Sequence, residues 1–428
     1  MKKEELQRFD ITKLLLILIV FFIPYTHFRI AGLKVSEILM IGLIPLKYIQ
    51  KKTRIPLKGT SARFVITFSV VIMCSAILSL VDPIHQYVYG APGSIFYSFE
   101  WGWALKIIRL IIVYFFMLSV ADFCKTEADM RSICSIYVWS NIVVDLIIIG
   151  KSVLQYDDWV IGVTRTAAMA VEPSEAGFIN SMAIIYTVFL LINAKKHNDK
   201  AKAWLQICVL VIGQLVIGST GSLMALGPAL AVAGAVYLAK KREAPLVKLP
   251  QLGAIAIVGV CAVVFLIEKT SALSKITNYK VYMEIPGSSV AERLGAITTC
   301  LEMFKQRPLL GIGFGNYGWY IDHFITTNLY NYVPGGAFHP NNQYFQLLAE
   351  LGIVGFCVYA YFVLKQLKAI KRVLHKKTKD NLVKGVFFLC MWVYLMIHNM
   401  TLPTLFSFQF WMMCAFVGNN ARMEKYGR

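Results

Sequence analysis

The feature that most constrains this chain is a series of about twelve long apolar runs. An apolar helix of about 20 residues is long enough to cross a bilayer. Of the 428 residues, 57% are hydrophobic and 16% charged, against about 45–50% and about 25% in soluble domains. This pattern excludes a soluble enzyme with membrane tethers, a disordered protein and a disulfide scaffold. It also excludes an outer-membrane barrel, whose strands alternate in polarity. We predict an all-α, polytopic integral membrane protein.

The apolar runs define the predicted spans. They cover Leu14–Tyr25, Ser36–Ile49, Phe64–Val81, Ala104–Val120, Ile133–Ile149, Ala176–Ile192, Ala203–Ile217, Ser222–Ala239, Leu252–Ile267, Tyr344–Leu364, Leu382–Ile397 and Leu405–Val417. The first run lacks a small-residue cleavage site, so we interpret it as a retained span and not a signal peptide. The whole chain, residues 1–428, is predicted to form a single membrane domain.

Positive charge predicts the orientation of the spans. With the N-terminus inside, 31 of the 43 Lys and Arg residues fall in inside segments, most of them short. Short cytoplasmic loops carry this excess in membrane proteins. Both termini are therefore predicted to be cytoplasmic in a multi-pass plasma-membrane protein. The net charge of +19 is then mainly a signal of topology, and no nucleic acid partner is predicted.

Three long segments are predicted on the outside: residues 82–103, 150–175 and 268–341. The last lies between spans 9 and 10 and is the longest. Long loops in compact proteins are usually functional, so we expect the chemistry at the outer face. No Cys/His cluster has zinc spacing, and neither a metal nor a cofactor is predicted.

The loop 268–341 has internal organisation. Ala291–Gln306 carries apolar residues at helical spacing and is predicted to be a helix. Arg307-Pro308 ends it. The Gly-rich stretch Leu309–Asn316 follows a helix and not a strand, so we interpret it as a tight backbone turn and not a dinucleotide site. Aromatic residues that include Tyr317 and Trp319 suit either sugar stacking or a membrane-interface belt.

Several motifs together resemble the O-antigen polymerase and O-antigen ligase superfamily of bacterial membrane glycosyltransferases. One is Arg293 followed by an amphipathic helix and Arg307–Asn316. Another is His339–Phe356. The earlier ones are Arg165 with Val171–Gly177, and the small-residue turn Gly218–Ser222. Their order, with a large outside loop before a late span, carries the resemblance.

One departure separates the two branches of that superfamily. The ligase branch has His-Asn, nine residues and then Gly-x-x-Gly. Here Asn342 is followed by nine residues and Gly352-Ile353-Val354-Gly355, but Asn341 stands where the family has His. The nearest histidine is His339. This favours the polymerase branch, with the ligase as the alternative.

The resemblance implies a GT-C-type fold and a function. The predicted protein is a polysaccharide polymerase that joins repeat units carried on undecaprenyl diphosphate, for O antigen or capsule, at the outer (periplasmic) face of the inner membrane. The alternative is a ligase that transfers the glycan to lipid A-core. Its partners would be the lipid-linked oligosaccharide, the lipid bilayer and, as a further candidate, a chain-length regulator.

Four residues are candidates for catalysis. Arg165 and Arg293 match family positions, and arginine can neutralise the leaving diphosphate with paired hydrogen bonds. They are otherwise solvated loop residues. His339 and Glu172 compete as the base for the acceptor hydroxyl. His339 could instead cap a helix, and Glu172 could hold sugar hydroxyls.

Six residues are candidates for substrate binding. Ionisable residues inside a span indicate function by default, although Arg109 could form a structural ion pair with Asp145. The amides of Asn341 and Asn342 can bond sugar hydroxyls, and either could cap the helix that follows. The six candidates are Lys106, Arg109, Asn341, Asn342, Tyr317 and Trp319.

A transporter or flippase is a third, less favoured function. Transporters of twelve helices often show repeat symmetry. No internal repeat is visible in this sequence, and the longest loop does not fall between two six-helix halves.

Overall fold

The structure, a computed structural model, is built from helices. It describes residues 11–30, 33–50, 59–84, 102–153, 169–170, 172–240, 280–281, 289–325, 340–376 and 378–426. Within these ranges, eight helices are long and apolar enough to cross a membrane. The predicted fold class, an all-α polytopic membrane protein, is confirmed.

The helices are numbered here in chain order. They are α1 (Ile11–Phe22), α2 (Val35–Ile44), α3 (Thr60–Val81), α4 (Gly102–Phe123), α5 (Glu127–Val153), α6 (Pro173–Asn193), α7 (His197–Ile217), α8 (Thr220–Lys240), α9 (Ser289–Gln306), α10 (Tyr317–Phe324), α11 (Gln343–Leu374), α12 (Lys379–His398) and α13 (Phe408–Tyr426). A π-helical segment, Pro45–Gln50, continues α2. Strands β1 (Arg29–Ile30) and β2 (Leu33–Lys34) form an antiparallel pair before α2.

Each predicted span that the structure describes overlaps one of these helices, but the helices of the first, second and twelfth runs are not among the eight that are long and apolar enough to cross a membrane. The first eight runs correspond to α1 to α8, and the last three to α11, α12 and α13. The ninth run, Leu252–Ile267, lies outside the described residues. In the loop 268–341, the predicted helix Ala291–Gln306 is confirmed as α9, which begins two residues earlier.

Polar residues mark several helix starts. The Asn342 side chain accepts hydrogen bonds from the backbone N–H groups of Tyr344 and Phe345, and Thr378 caps α12 in the same way through Asn381 N. Such caps satisfy N–H groups that have no partner in the first turn. Proline opens α6 at Pro173, where its missing N–H costs nothing.

Two compact units are distinguished by their internal contacts. Unit 1 contains residues 1–56, 115–217 and 415–428, and unit 2 contains residues 57–114 and 218–414. The single membrane domain predicted from the sequence stays a prediction. In unit 1, α5 packs against α1, α6 and α7, and α6 also packs against α7.

Polar contacts join the helices of unit 1. The Tyr137 hydroxyl of α5 donates to the Ile179 carbonyl of α6 at 2.9 Å, and the Asn180 amide of α6 donates to the Leu210 carbonyl of α7 at 2.8 Å. Lipid chains are as apolar as the side chains, so close packing and hydrogen bonds hold membrane helices together. The buried Asp145 carboxyl of α5 lies against Gly213 of α7, where a Cβ would overlap it.

In unit 2, α11 is the central element. It packs against α3, α9, α10 and α12, and α12 also packs against α8. Stacked rings fill the contact between α3 and α11, where the centroids of Phe64 and Phe362 are 4.1 Å apart. Trp411 is fully buried beside them, and its indole N–H donates to the Leu405 carbonyl at 2.8 Å. The loop elements α9 and α10 are thus placed on one side of α11.

Candidate functional site

A break in α11 organises the site in unit 2. At Gly352 the backbone leaves the helical conformation, with φ of 63° and ψ of −166°. Only glycine adopts such angles without steric cost. The helix therefore has carbonyl and N–H groups on either side of Gly352 that are free to bond outside it.

The Gly-rich turn 308–313 takes up these groups. Ile312 N donates to the Ala349 carbonyl at 3.0 Å, and Gly313 N to the Glu350 carbonyl at 3.1 Å. In the other direction, Ile353 N donates to the Pro308 carbonyl at 2.8 Å and Val354 N to the Leu309 carbonyl at 3.3 Å. We call this reciprocal set of four bonds the clip. It fixes the loop to a membrane-spanning helix through backbone alone.

The clip depends on glycine on both sides. A Cβ on Gly311 would overlap the Glu350 backbone, and a Cβ on Gly352 would overlap the Leu309 carbonyl. Gly311 and Gly313 also have positive φ, 70° and 102°. The sequence prediction of a tight backbone turn is confirmed, and the close approach of two backbones explains its glycines.

Helix α3 supports the clip from a second side. The Ser75 hydroxyl donates to the Leu310 carbonyl at 2.6 Å, and the Ser79 hydroxyl donates to the Ile312 carbonyl at 2.6 Å. At the end of α3, the Arg307 guanidinium forms an ion pair with Asp82 at 2.8 Å. The turn is therefore held by two spans.

A small apolar core lies between α9, α10 and α11. It contains Ala296, Cys300, Met303, Ile312, Tyr317, Tyr320, Ile321 and Ala349. Tyr317 is fully buried there, so a sugar could stack on its ring only after a rearrangement. Trp319 is half-buried at the edge of the same core. The substrate contacts predicted for both aromatics stay predictions.

Glu350 is a buried acidic residue whose backbone carbonyl belongs to the clip, and sequence reasoning did not single out its side chain. Its carboxylate accepts from Tyr317 N at 3.1 Å and from the Gln346 amide at 3.0 Å, and it also accepts from Gly315 N. Lys106 of α4 acts on it electrostatically. A Cβ added to Gly315 would lie 3.4 Å from the Lys106 Cε, so the Lys106 side chain passes close to this glycine. One predicted substrate-binding cation therefore lies at the Gly-rich turn, with a buried carboxylate as its counter-charge.

A buried amide network surrounds the start of α11. The Gln343 side-chain oxygen accepts from Thr404 N at 2.7 Å and from Leu405 N at 3.0 Å. Asn399 accepts from Thr404 N at 3.0 Å and donates to the Tyr359 hydroxyl at 3.0 Å. Asn342 caps α11, so the capping alternative holds for Asn342. A substrate contact by the same residue stays a prediction.

Arg293 and Asn341 lie near this network. Arg293 acts electrostatically on His398, which is fully buried at the end of α12 next to Asn399. The Asn341 side-chain oxygen is buried and has no hydrogen-bond partner among the described residues. Burial raises the pKa of the neighbouring Glu292 carboxyl, and Arg293 partly offsets this. A cation and several amide groups thus collect at one end of α11.

Unit 1 contains a second cluster of polar side chains, around the start of α6. The Glu175 carboxylate pairs with Lys34 at 2.8 Å and accepts from the Thr26 hydroxyl at 2.7 Å. Glu172 precedes α6 at its cap position without a capping side-chain bond. Glu175 lies in the first turn of α6, and its ion pair joins the β1–β2 hairpin to that helix.

The remaining predicted site residues have different outcomes. Arg165 and His339 lie outside the described residues. Arg109 lies one turn from Lys106 on α4 and acts on it electrostatically. Its alternative ion pair with Asp145 stays a prediction. The sequence signal for Glu350 was available, because it is an acidic residue inside an apolar run, two residues before Gly352.

Comparison with known proteins tests the resemblance that the motifs predict. No curated protein matches the chain. The sequence model of a family described as O-antigen ligase matches residues 207–360. That stretch includes α8, α9, α10, the clip, Arg293, Asn341 and Asn342. The match confirms the resemblance to the O-antigen polymerase and ligase superfamily, and residues 207–360 are the part of this chain that shows it.

Proposed function

We propose that this protein is a polysaccharide polymerase that joins oligosaccharide repeat units carried on undecaprenyl diphosphate. The observation that carries the proposal is the family match over residues 207–360, which contains Arg293 and the clip. The ligase motif has a histidine at the position of Asn341, whereas the nearest histidine in this chain is His339, two residues earlier. This difference favours the polymerase branch. The product would be O antigen or capsule.

The proposed reaction is a glycosyl transfer without a metal or a cofactor. The acceptor sugar hydroxyl attacks the anomeric carbon of the donor. A new carbon–oxygen bond forms, the bond from the anomeric carbon to the phosphate oxygen breaks, and undecaprenyl diphosphate leaves with the bonding electrons. The hydroxyl proton passes to a base, for which His339 and Glu172 are the proposed groups.

Arginine suits the leaving group in this scheme. Arg293 and Arg165 would bind the diphosphate oxygens through paired N–H donors, and positioned cations stabilise charge that develops in the transition state. Lys106 and Arg109 would bind the same lipid-linked donor. Asn341, Asn342 and Trp319 would contact sugars, and so would Tyr317 if its ring were exposed.

The location belongs to the same proposal. We place the protein in the inner membrane, with both termini in the cytoplasm and the active site at the outer face. The charge distribution supports this orientation. A chain-length regulator is the proposed protein partner.

The second candidate function is ligation of the finished glycan to lipid A-core. The description of the matching family as O-antigen ligase favours it. A gel of surface and lipid-linked glycans from cells lacking the gene distinguishes the two. Loss of the long ladder, with single repeat units remaining, indicates the polymerase. Long polymer on undecaprenyl diphosphate with none on lipid A-core indicates the ligase.

The residue-level test uses two cations on α9. Arg293→Ala should shorten the ladder to single units in complemented cells, because the leaving diphosphate loses its counter-charge. Loss of one such electrostatic contact typically costs about 100-fold or more in rate. Lys305→Ala is the matched control, because Lys305 is 69% exposed and pairs only with Glu302 of its own helix in the described structure. A ladder of normal length from Arg293→Ala would contradict the role given to Arg293.

A further inference from the structure

The part of α11 after its break is long enough to cross a membrane. It runs from Ile353 to Leu374, which at about 1.5 Å per residue gives about 33 Å. The hydrocarbon layer is about 30 Å thick, or about 20 helical residues. The basic residues that begin at Lys365 place the last turns of α11 at the level of the lipid headgroups.

An aromatic residue supports this level. Tyr361 is 62% exposed, and the Lys365 ammonium lies 4.9 Å from the centre of its ring. Tyrosine is typical of the interface between hydrocarbon and headgroups, and long basic side chains near it place their charge at the surface. The residues after Lys365 therefore lie at the membrane interface or beyond it.

The two faces of this helix end differ sharply. Ile370, Val373 and Leu374 are buried in the protein. The opposite face carries an open groove of about 580 Å³. Its lining residues are Leu364, Leu367, Lys368, Lys371, Arg372 and His375. We call it the basic groove.

The basic groove is apolar at one end and cationic at the other. Leu364 is 62% exposed, although it is a large apolar side chain in a membrane span. Lys368, Lys371 and Arg372 are exposed one to two turns further along. None of these three cations forms an ion pair with an acidic residue in the part of the chain that the structure describes. The cations are therefore available to an external anion.

We propose that the basic groove binds an anionic phospholipid. The phosphate would accept hydrogen bonds from Lys368, Lys371 and Arg372, and an acyl chain would lie along Leu364 and Leu367. Charge-assisted bonds from lysine and arginine to phosphate are among the strongest that side chains form. Clusters of such residues next to a membrane span attract anionic headgroups. A zwitterionic lipid offers no net charge to the same cations.

The test measures lipid binding by the full-length protein in detergent. Native mass spectrometry would compare phosphatidylglycerol with phosphatidylcholine of the same acyl chains. The variant Lys368→Gln/Lys371→Gln/Arg372→Gln should bind phosphatidylglycerol at least about tenfold more weakly than the wild type, because it loses three surface cations. Phosphatidylcholine binding should be weak and unchanged.

A matched control removes the same charge elsewhere. Lys195→Gln/Lys196→Gln/Lys200→Gln changes three exposed cations around the start of α7 and should leave the affinity for phosphatidylglycerol unchanged. Equal losses in both triple variants would show a general effect of charge and overturn the proposal. Equal binding of the two lipids by the wild type would overturn it too, and so would displacement of the lipid by millimolar inorganic phosphate. If the triple variant does not fold, the single variant Arg372→Gln supplies the comparison.

Discussion

Gly352 determines the local structure at the break in α11. It combines a positive φ, in a region of backbone conformation essentially confined to glycine, with a contact too close for a side chain. A non-glycine residue in this conformation costs about 1–3 kcal/mol. The added Cβ would in addition push the Leu309 carbonyl away and break the clip.

Gly352→Ala should therefore lower the melting temperature of the purified protein by several degrees and reduce its yield. Gly227→Ala is the control, because Gly227 lies within α8 with open space where its Cβ would be. Alanine is favoured over glycine inside helices by about 0.5–1 kcal/mol, so the control should be neutral or slightly stabilising. Equal melting temperatures for Gly352→Ala and the wild type would refute the account of the clip.

At the residue scale, the sequence identifies unusual residues more readily than the residues that they contact. Lys106 was identified because a charge inside an apolar run is conspicuous. Its counter-charge Glu350 lies far along the chain, and spacing does not reveal a contact over that distance. The same reason applies to Lys34 and Glu175, whose ion pair depends on how the β1–β2 hairpin meets α6.

Among the elements, α7 shows how a membrane helix accommodates a buried polar neighbour. Its buried stripe includes Gln206, Leu210, Gly213 and Gln214. The missing side chain at Gly213 leaves room for the Asp145 carboxyl of α5. The packing of α5 on α7 thus depends on a small residue opposite a polar one.

A double-mutant cycle tests this contact. Gly213→Ala should destabilise the wild-type protein, because its methyl group overlaps Asp145. In the Asp145→Ala background the same substitution should cost much less, since the carboxyl is gone. Residues in contact typically show coupling of about 0.5–3 kcal/mol. Additive changes in the free energy of unfolding would mean that the two residues do not touch.

The elements themselves were largely predictable. Apolar runs of 12 to 21 residues defined the spans, and the heptad-like spacing in Ala291–Gln306 predicted α9 to within two residues. The clip was not predictable from the sequence, because it is neither a pair of strands nor a contact between helix side chains. It joins residues 308–313 to residues 349–354 through backbone atoms, which leave no pattern in side-chain types except their glycines.

For the whole molecule, the asymmetry of positive charge is the main global signal. It predicts that the end of α9 and the far end of α11 lie on opposite sides of the membrane. Lys305→Cys and Lys368→Cys, each in a chain whose nine native cysteines are replaced by serine, report on the two sides. In intact cells, an impermeant maleimide should label position 305, and it should label position 368 only after permeabilisation. Labelling in the reverse order would invert the orientation.

The clip also has a consequence for biosynthesis. Residues 308–313 leave the ribosome about 40 residues before the α11 backbone that pairs with them. Until then their N–H and C=O groups have no protein partner, and the membrane interior cannot supply one. The turn must wait in water while α11 inserts, and only then can it dock. Assembly of this protein would thus include a step after translocation, in which a finished loop joins a span that has already been inserted.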